Sequence, residues 1–237
     1  MTTDTHNIAL QRFRRLAWIT IAAVYFLILV GASVRASGAG MGCPDWPTCF
    51  GQWIPPTSEA QLPDNYQEIY AELGYADTRF NVVKTWTEYS NRLTGVTIGF
   101  LILLTAIYSW YCREHDSSIF KASVAAFIMV GFQGWLGAQV VGSNLQPGMI
   151  TLHMLVALAL VGALLFAVAQ ARRGIMAAQP VTALDPRFQT WLYIVIGLTI
   201  VQVAMGTQVR EMTDFISRAQ GEELRSSWIE EIGRAHV

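Results

Sequence analysis

The run ASVAAFIMVGFQGWLGAQVVGSNLQPGMITLHMLVALALVGALLFAVAQA, Ala122 to Ala171, contains no Asp, Glu, Lys or Arg. A helix needs about 20 apolar residues to cross the hydrocarbon core of a bilayer, so this run is long enough to cross twice. Between its halves lies GSNLQPG (Gly142–Gly148), a set of turn formers followed by a proline. Such a segment ends one helix and begins the next. Two antiparallel membrane helices joined by a tight turn are therefore expected.

The rest of the chain extends the pattern. Of 237 residues, 53% are hydrophobic and 14% charged, against about 25% charged in soluble domains. Leu16–Val34, Leu93–Cys112 and Phe188–Val209 are further charge-free runs. Together they predict five transmembrane helices, over 16–35, 92–112, 119–141, 149–170 and 189–209. The fold class is an all-α polytopic membrane protein, because lipid-exposed backbone must satisfy its own hydrogen bonds and these runs are too long for barrel strands. A cleaved signal peptide fits the first run less well: its apolar part exceeds an h-region, and more spans follow. A net charge of −1 gives no nucleic-acid surface.

Basic residues in short loops set orientation. Arg12, Arg14 and Arg15 precede the first span, Arg113 and Lys121 lie between the second and third, and Arg172, Arg173 and Arg187 lie between the fourth and fifth. The N-terminus is expected in the cytoplasm and the loop at 36–84 outside. The expected organisation is a cytoplasmic N-terminus (1–15), a four-helix bundle (16–170) including that outer loop, and a cytoplasmic linker (171–188). The first helix and outer segment of a second bundle follow (189–231).

A weak internal repeat suggests the second bundle. GASVR (Gly31–Arg35) closes the first span and GTQVR (Gly206–Arg210) the fifth, with Trp86 and Glu88 after one and Trp228 and Glu230 after the other. Repeated bundles leave such traces in membrane proteins. The last six residues, Ile232–Val237 (IGRAHV), resemble translated sequencing-adapter DNA and are expected to be non-native, which excludes His236 as a ligand.

In the outer loop, Cys43 and Cys49 stand where disulfides persist. A disulfide is expected there; free thiols or a metal site are the alternatives, and few other ligands for zinc lie nearby. Cys112 is expected to be a packing residue.

Ionisable groups at membrane depth are costly and mark candidate sites. Lys84–Gly95, KTWTEYSNRLTG, brings Glu88 and Arg92 one helical turn apart to the mouth of the second span, with Asn91 between them. His153 opens the fourth span among apolar neighbours, and Arg35 closes the first. The second and fourth spans enter from the same side, so Asn91 and His153 are expected at comparable depth. Neutral imidazole is a ready ligand for haem iron; a histidine hydrogen-bonded between helices is the alternative. Glu88 and Arg92 also fit a helix-start carboxylate and a snorkelling arginine. Gln133, Gly134, Gly137 and Gln139 punctuate the third span, where close helix packing is expected, with close approach of a flat macrocycle as the alternative.

Five motifs together resemble the haem A synthase family: VGASVRASGAGMGCPDWPTCFGQWIPP (Val30–Pro56), TEYSNRLTG (Thr87–Gly95), QGWLGAQVV (Gln133–Val141), TLHMLVALA (Thr151–Ala159) and GTQVRE (Gly206–Glu211). The resemblance runs to about Glu231. It implies two tandem four-helix bundles in the bacterial cytoplasmic membrane and oxidation of a haem O ring methyl to a formyl group, supplying haem A to terminal oxidases. It implies Glu88 as the catalytic glutamate near that methyl, Cys43 and Cys49 as the outer-loop pair, and His153 as a haem-iron ligand. At the other ligand position, where the family carries histidine, this chain has Asn91. Arg92 and Arg35 are candidate propionate partners. Haem b is expected in the second bundle, beyond this chain, so the chain alone is expected to be inactive. Implied partners are haem O, membrane lipid, haem O synthase and oxidase assembly factors. The alternatives are an electron-transferring b-type cytochrome and a non-enzymatic haem carrier or assembly factor.

Overall fold

The computed structural model of the chain describes residues 3–76, 78–175 and 185–220. Among these residues there is no strand, only helices, turns and one isolated bridge between Cys49 and Gln52. The long helices are α1 (Thr3–Ala36), α3 (Val82–Ser109), α4 (Ser117–Gly142), α5 (Pro147–Ile175) and α6 (Pro186–Gln220), while α2 (Tyr66–Ile69) is a single turn in the first loop. Each long helix contains a stretch apolar enough to cross a membrane. The protein is an all-α, multi-pass membrane protein.

The chain divides into two units, residues 1–182 and 183–237. In the first, α1 packs on α3 and α5, and α4 also packs on α3 and α5. This closed ring, with each helix beside its neighbour in sequence, is an up-and-down four-helix bundle. Its apolar core lies toward the N-terminal end of α1. Phe13, Ile21, Ile102, Ile119, Ala126 and Leu164 are buried there, and Cys112 packs into the same cluster. The hydroxyls of Thr20 and Thr105 meet at 2.7 Å across α1 and α3. The second unit, described by itself, contributes α6.

Several helix boundaries differ from the sequence expectation: α1 begins at Thr3 rather than near residue 16, and α5 runs on to Ile175. The second span begins at Val82 rather than near residue 92. Asn81, in extended conformation, caps it by accepting the Lys84 N–H at 3.0 Å, and the outer loop covers the polar first turns that hydropathy does not score. Glu88 therefore sits in the second turn of α3. The helix that carries the fifth span runs on to Gln220, while its membrane-crossing stretch ends at Val209, so GTQVR closes the span but not the helix. At the end of α1, Gly38 adopts φ 67° and the Ala39 N–H bonds the Val34 carbonyl at 3.0 Å. A left-handed glycine stops the helix there. The expected features at Trp228, Glu230 and Ile232–Val237 lie outside the described residues.

Candidate functional site

The cysteine loop is built around one aspartate. The Asp45 carboxylate accepts from the Thr48 hydroxyl and from the backbone N–H groups of Phe50 (2.5 Å) and Gly51 (2.9 Å). Cys43 and Cys49 are buried and joined by a disulfide. Phe50 follows, and its ring meets Tyr66, Tyr70, Tyr75 and Phe80 edge-on, with centroids 5.3–6.3 Å apart. Such edge-to-face pairs add to the stabilisation from burial alone. Burial raises the Tyr75 phenol above its ordinary range, and its hydroxyl donates to the Met41 carbonyl at 2.5 Å.

This loop is fastened onto the first turns of α3. Gly42 lies against the helix backbone: an ideal Cβ there would fall 2.3 Å from the Lys84 carbonyl oxygen, so only glycine permits the approach. The Thr85 hydroxyl donates to the Gly42 carbonyl at 2.8 Å. Trp86 Nε1–H donates to Pro56 O at 3.2 Å, and the Tyr89 hydroxyl to Trp53 O at 2.6 Å.

Glu88 and Arg92 complete the fastening. Glu88 is 4% exposed. Its Oε2 accepts the Cys43 N–H at 2.9 Å and its Oε1 pairs with Arg92 Nη2 at 2.5 Å. Arg92 Nη1 donates to the carbonyls of Asp45 (2.6 Å) and Thr48 (3.0 Å), and Nη2 to that of Cys43 (3.2 Å). A guanidinium has five N–H donors, so these bonds occupy all but the Nε–H. The sequence expectation made Arg92 a propionate partner; here its terminal nitrogens hold the disulfide loop. Arg35 lies half-buried in the last turn of α1.

Deeper in the bundle is a second set of polar groups. Asn91 Oδ1 on α3, Gln133 Oε1 on α4 and His153 Nδ1 on α5 are buried without a hydrogen-bond partner. They lie nine residues in from Val82, nine from Gly142 and six from Pro147. At about 1.5 Å per residue these depths agree to within about 5 Å. Glycines stand beside two of them: an ideal Cβ at Gly31 would be 3.8 Å from Asn91 Oδ1, and one at Gly137 would be 3.8 Å from His153 Cε1. Gln133 Nε2–H donates to the His153 carbonyl at 2.9 Å. An open groove of about 590 Å³ runs between α1 and α3, past Phe26, Ser33, Trp86 and Ser90, and includes none of the three orphaned groups.

The structure thus sorts the expected residues into two constellations, Glu88 and Arg92 with the disulfide loop, and Asn91 with His153 at one level below it. Sequence reasoning treated Gln133 as a packing residue and passed over Asp45 and Gly42. Gln133 was detectable as a lone amide in an apolar run; Asp45 and Gly42 show their roles only through long-range contacts.

Buried unsatisfied polar atoms are rare and call for a ligand, water or ion. Among the described residues no three His, Cys, Asp or Glu side chains gather to hold a bare metal ion. An iron that arrives with its own equatorial ligands, as in a macrocycle, requires only an imidazole from the protein. His153 fits that requirement. Asn91 fits a hydrogen-bonding role, since a neutral amide is a poor iron ligand.

The chain matches the sequence model of the cytochrome oxidase assembly protein family over residues 14–235. It is 31% identical over 189 residues to the heme A synthase of Shewanella oneidensis, covering 77% of this chain and 54% of that protein. Identity to the heme A synthase of Methylobacterium radiotolerans is 27% over 203 residues, 80% of this chain and 53% of that protein. For that of Alkalihalophilus pseudofirmus it is 31% over 144 residues, 60% and 41%. No solved structure matches the chain. The chain spans about half the length of these curated relatives. The resemblance carried by the five motifs is borne out over nearly the whole sequence, and the chain belongs to the cytochrome oxidase assembly protein family.

Proposed function

We propose that this chain forms the haem-handling first half of a haem A synthase, a membrane oxidoreductase that converts a haem O ring methyl to a formyl group for terminal oxidases. The observation that carries the proposal is the buried, unpartnered imidazole nitrogen of His153, level with two orphaned amides and beneath a loop clamped by a buried glutamate. Bound haem O supplies the methyl group and its iron centre. His153 holds that iron. Asn91, at the family's other ligand position, directs its amide to a water or to the macrocycle edge.

Taking a methyl to a formyl group removes four electrons, which an external oxidant must accept, adds one oxygen atom, which dioxygen or water must supply, and releases protons that a nearby acceptor takes up. Glu88 takes that role through a carboxylate oxygen, with Arg92 and the Cys43 N–H fixing its position. Arg35 and the remaining Arg92 Nε–H offer charge-assisted donors to propionates at the loop end. The haem b site of the complete enzyme belongs to a second bundle that begins with α6. The protein sits in the bacterial cytoplasmic membrane with its N-terminus inside, and its disulfide loop faces the oxidising side. Haem O synthase and oxidase assembly factors are its working partners.

The test uses the full-length protein. Glu88→Gln keeps an acceptor for the Cys43 N–H and removes the ionisable carboxyl. Haem should remain bound while haem A formation is lost; undiminished haem A in extracted pigment refutes the role of Glu88. His153→Ala should alter the absorption spectrum of bound haem, and an unaltered spectrum argues against ligation.

A further inference from the structure

The side of α4 that faces His153 is formed by Gln133 and Gly137, four residues apart and so on one helix face. Gly137 lies alongside the ring carbon Cε1, where its missing side chain leaves room. Gln133 anchors its amide nitrogen on the His153 carbonyl at 2.9 Å. The other end of that amide, Oε1, is buried and unpartnered, as is His153 Nδ1. One is an obligate acceptor; the other becomes a donor when it carries the ring proton. Leaving a buried polar group unpaired costs about 1–3 kcal/mol, so two complementary orphans, one of them on the amide that already bonds the other's residue, point to a shared use. A histidine that binds a metal through one nitrogen almost always donates the other N–H to an acceptor, which sets its tautomer and basicity.

We infer that Gln133 is the positioning residue of His153. When His153 binds iron through Nε2, its Nδ1–H donates to Gln133 Oε1, which fixes the tautomer and ring orientation and strengthens the imidazole as a ligand. The inference rests on His153 being the haem ligand and adds a residue to which no role in haem binding has been given.

The test titrates the 237-residue chain in detergent with haemin, then records the iron–histidine stretching band of the reduced form by resonance Raman. Gln133→Leu should weaken haem binding about 10–100-fold and lower the band frequency. Gln133→Glu keeps an acceptor and should hold affinity near that of the unsubstituted chain while raising the frequency. If both variants shift the melting temperature alike and leave the band in place, Gln133 is a packing residue and the inference is overturned. Should Gln133→Leu not fold, the band of Gln133→Glu decides alone, and an unmoved band overturns the inference. The parent reading fails separately, if the unsubstituted chain binds no haem or if His153→Ala retains the band.

Discussion

At the N-terminal end of the bundle, Phe13, Ile102, Ile119 and Leu164 fill the space between helices. The buried hydroxyls of Thr20, Thr105, Ser109 and Ser123 there all bond carbonyls of their own helices. Among the described residues, the orphaned polar atom at that end is Arg113 Nη1, which belongs to a guanidinium stacked 3.4 Å from the Trp110 ring centroid. At the loop end, three helices each place an unpartnered polar atom at one level. In a medium without water, such groups must be satisfied by the protein or by a ligand. The first end is complete as protein, whereas the second is complete only when something else supplies its partners.

The largest expected effect tests the lid of the loop end. Glu88→Ala strands Arg92 among carbonyls and frees the Cys43 N–H. Breaking a buried ion pair costs about 3–5 kcal/mol, so hydrogen exchange of the amides at 42–52 should accelerate sharply. Slow exchange would mean that the loop is held by its disulfide and aromatic cluster alone.

Next is the N-terminal end. Leu164→Ala should destabilise the chain by about 2–5 kcal/mol in unfolding measurements, with haem present or absent. A loss that disappears on adding haem would contradict the separation of the two ends.

His153→Leu should act in the opposite direction. It removes an orphaned nitrogen and should stabilise the haem-free chain by about 1–3 kcal/mol, while abolishing any gain in stability on adding haem. Destabilisation of the haem-free chain would show that the imidazole is already used by the fold.

The loop should also fail at high pH. The phenol of Tyr75 is raised in the folded state, so the folded protein retains a proton that the unfolded chain releases above about pH 10. Its stabilisation is complete below that pH and is lost as pH rises further. Late phenolate absorbance should appear together with loop opening, and Tyr75→Phe should diminish that alkaline step, the remainder belonging to Tyr66 and Tyr70, whose phenols burial also raises.

Smallest is Thr20→Val, which deletes the bridge to Thr105 while the Thr105 hydroxyl keeps its bond to Leu101 O. Interhelical bonds of this kind contribute about 0.6 kcal/mol on average in membranes. Unfolding of the variant in detergent measures it, and a loss several times larger would mean that the bridge sets helix register.

Much of this molecule is legible in its sequence. Five spans follow from charge-free runs, because bilayer thickness and backbone satisfaction allow few other outcomes. The motifs around Cys43, Glu88 and His153 indicated the family, and the shared depth of Asn91 and His153 followed from two spans entering from one side. The start of α3 was not legible. Hydropathy registers the apolar run after Arg92, while the preceding turns are helical because Asn81 caps them and the loop covers them. The work of Arg92 was hidden for a related reason: its partners are carbonyls, which every residue has.

The sequence by itself determined the number of spans, their lengths and the residue types available at each depth, because these depend on local composition against a fixed membrane thickness. Only the tertiary structure decided which of those residues meet. It turned Glu88 and Arg92 to the disulfide loop and left one buried polar atom each of Asn91, Gln133 and His153 without a partner. Pairing across tens of residues depends on helix rotation and close approach, as at Gly42 and Gly137, and no local pattern records that.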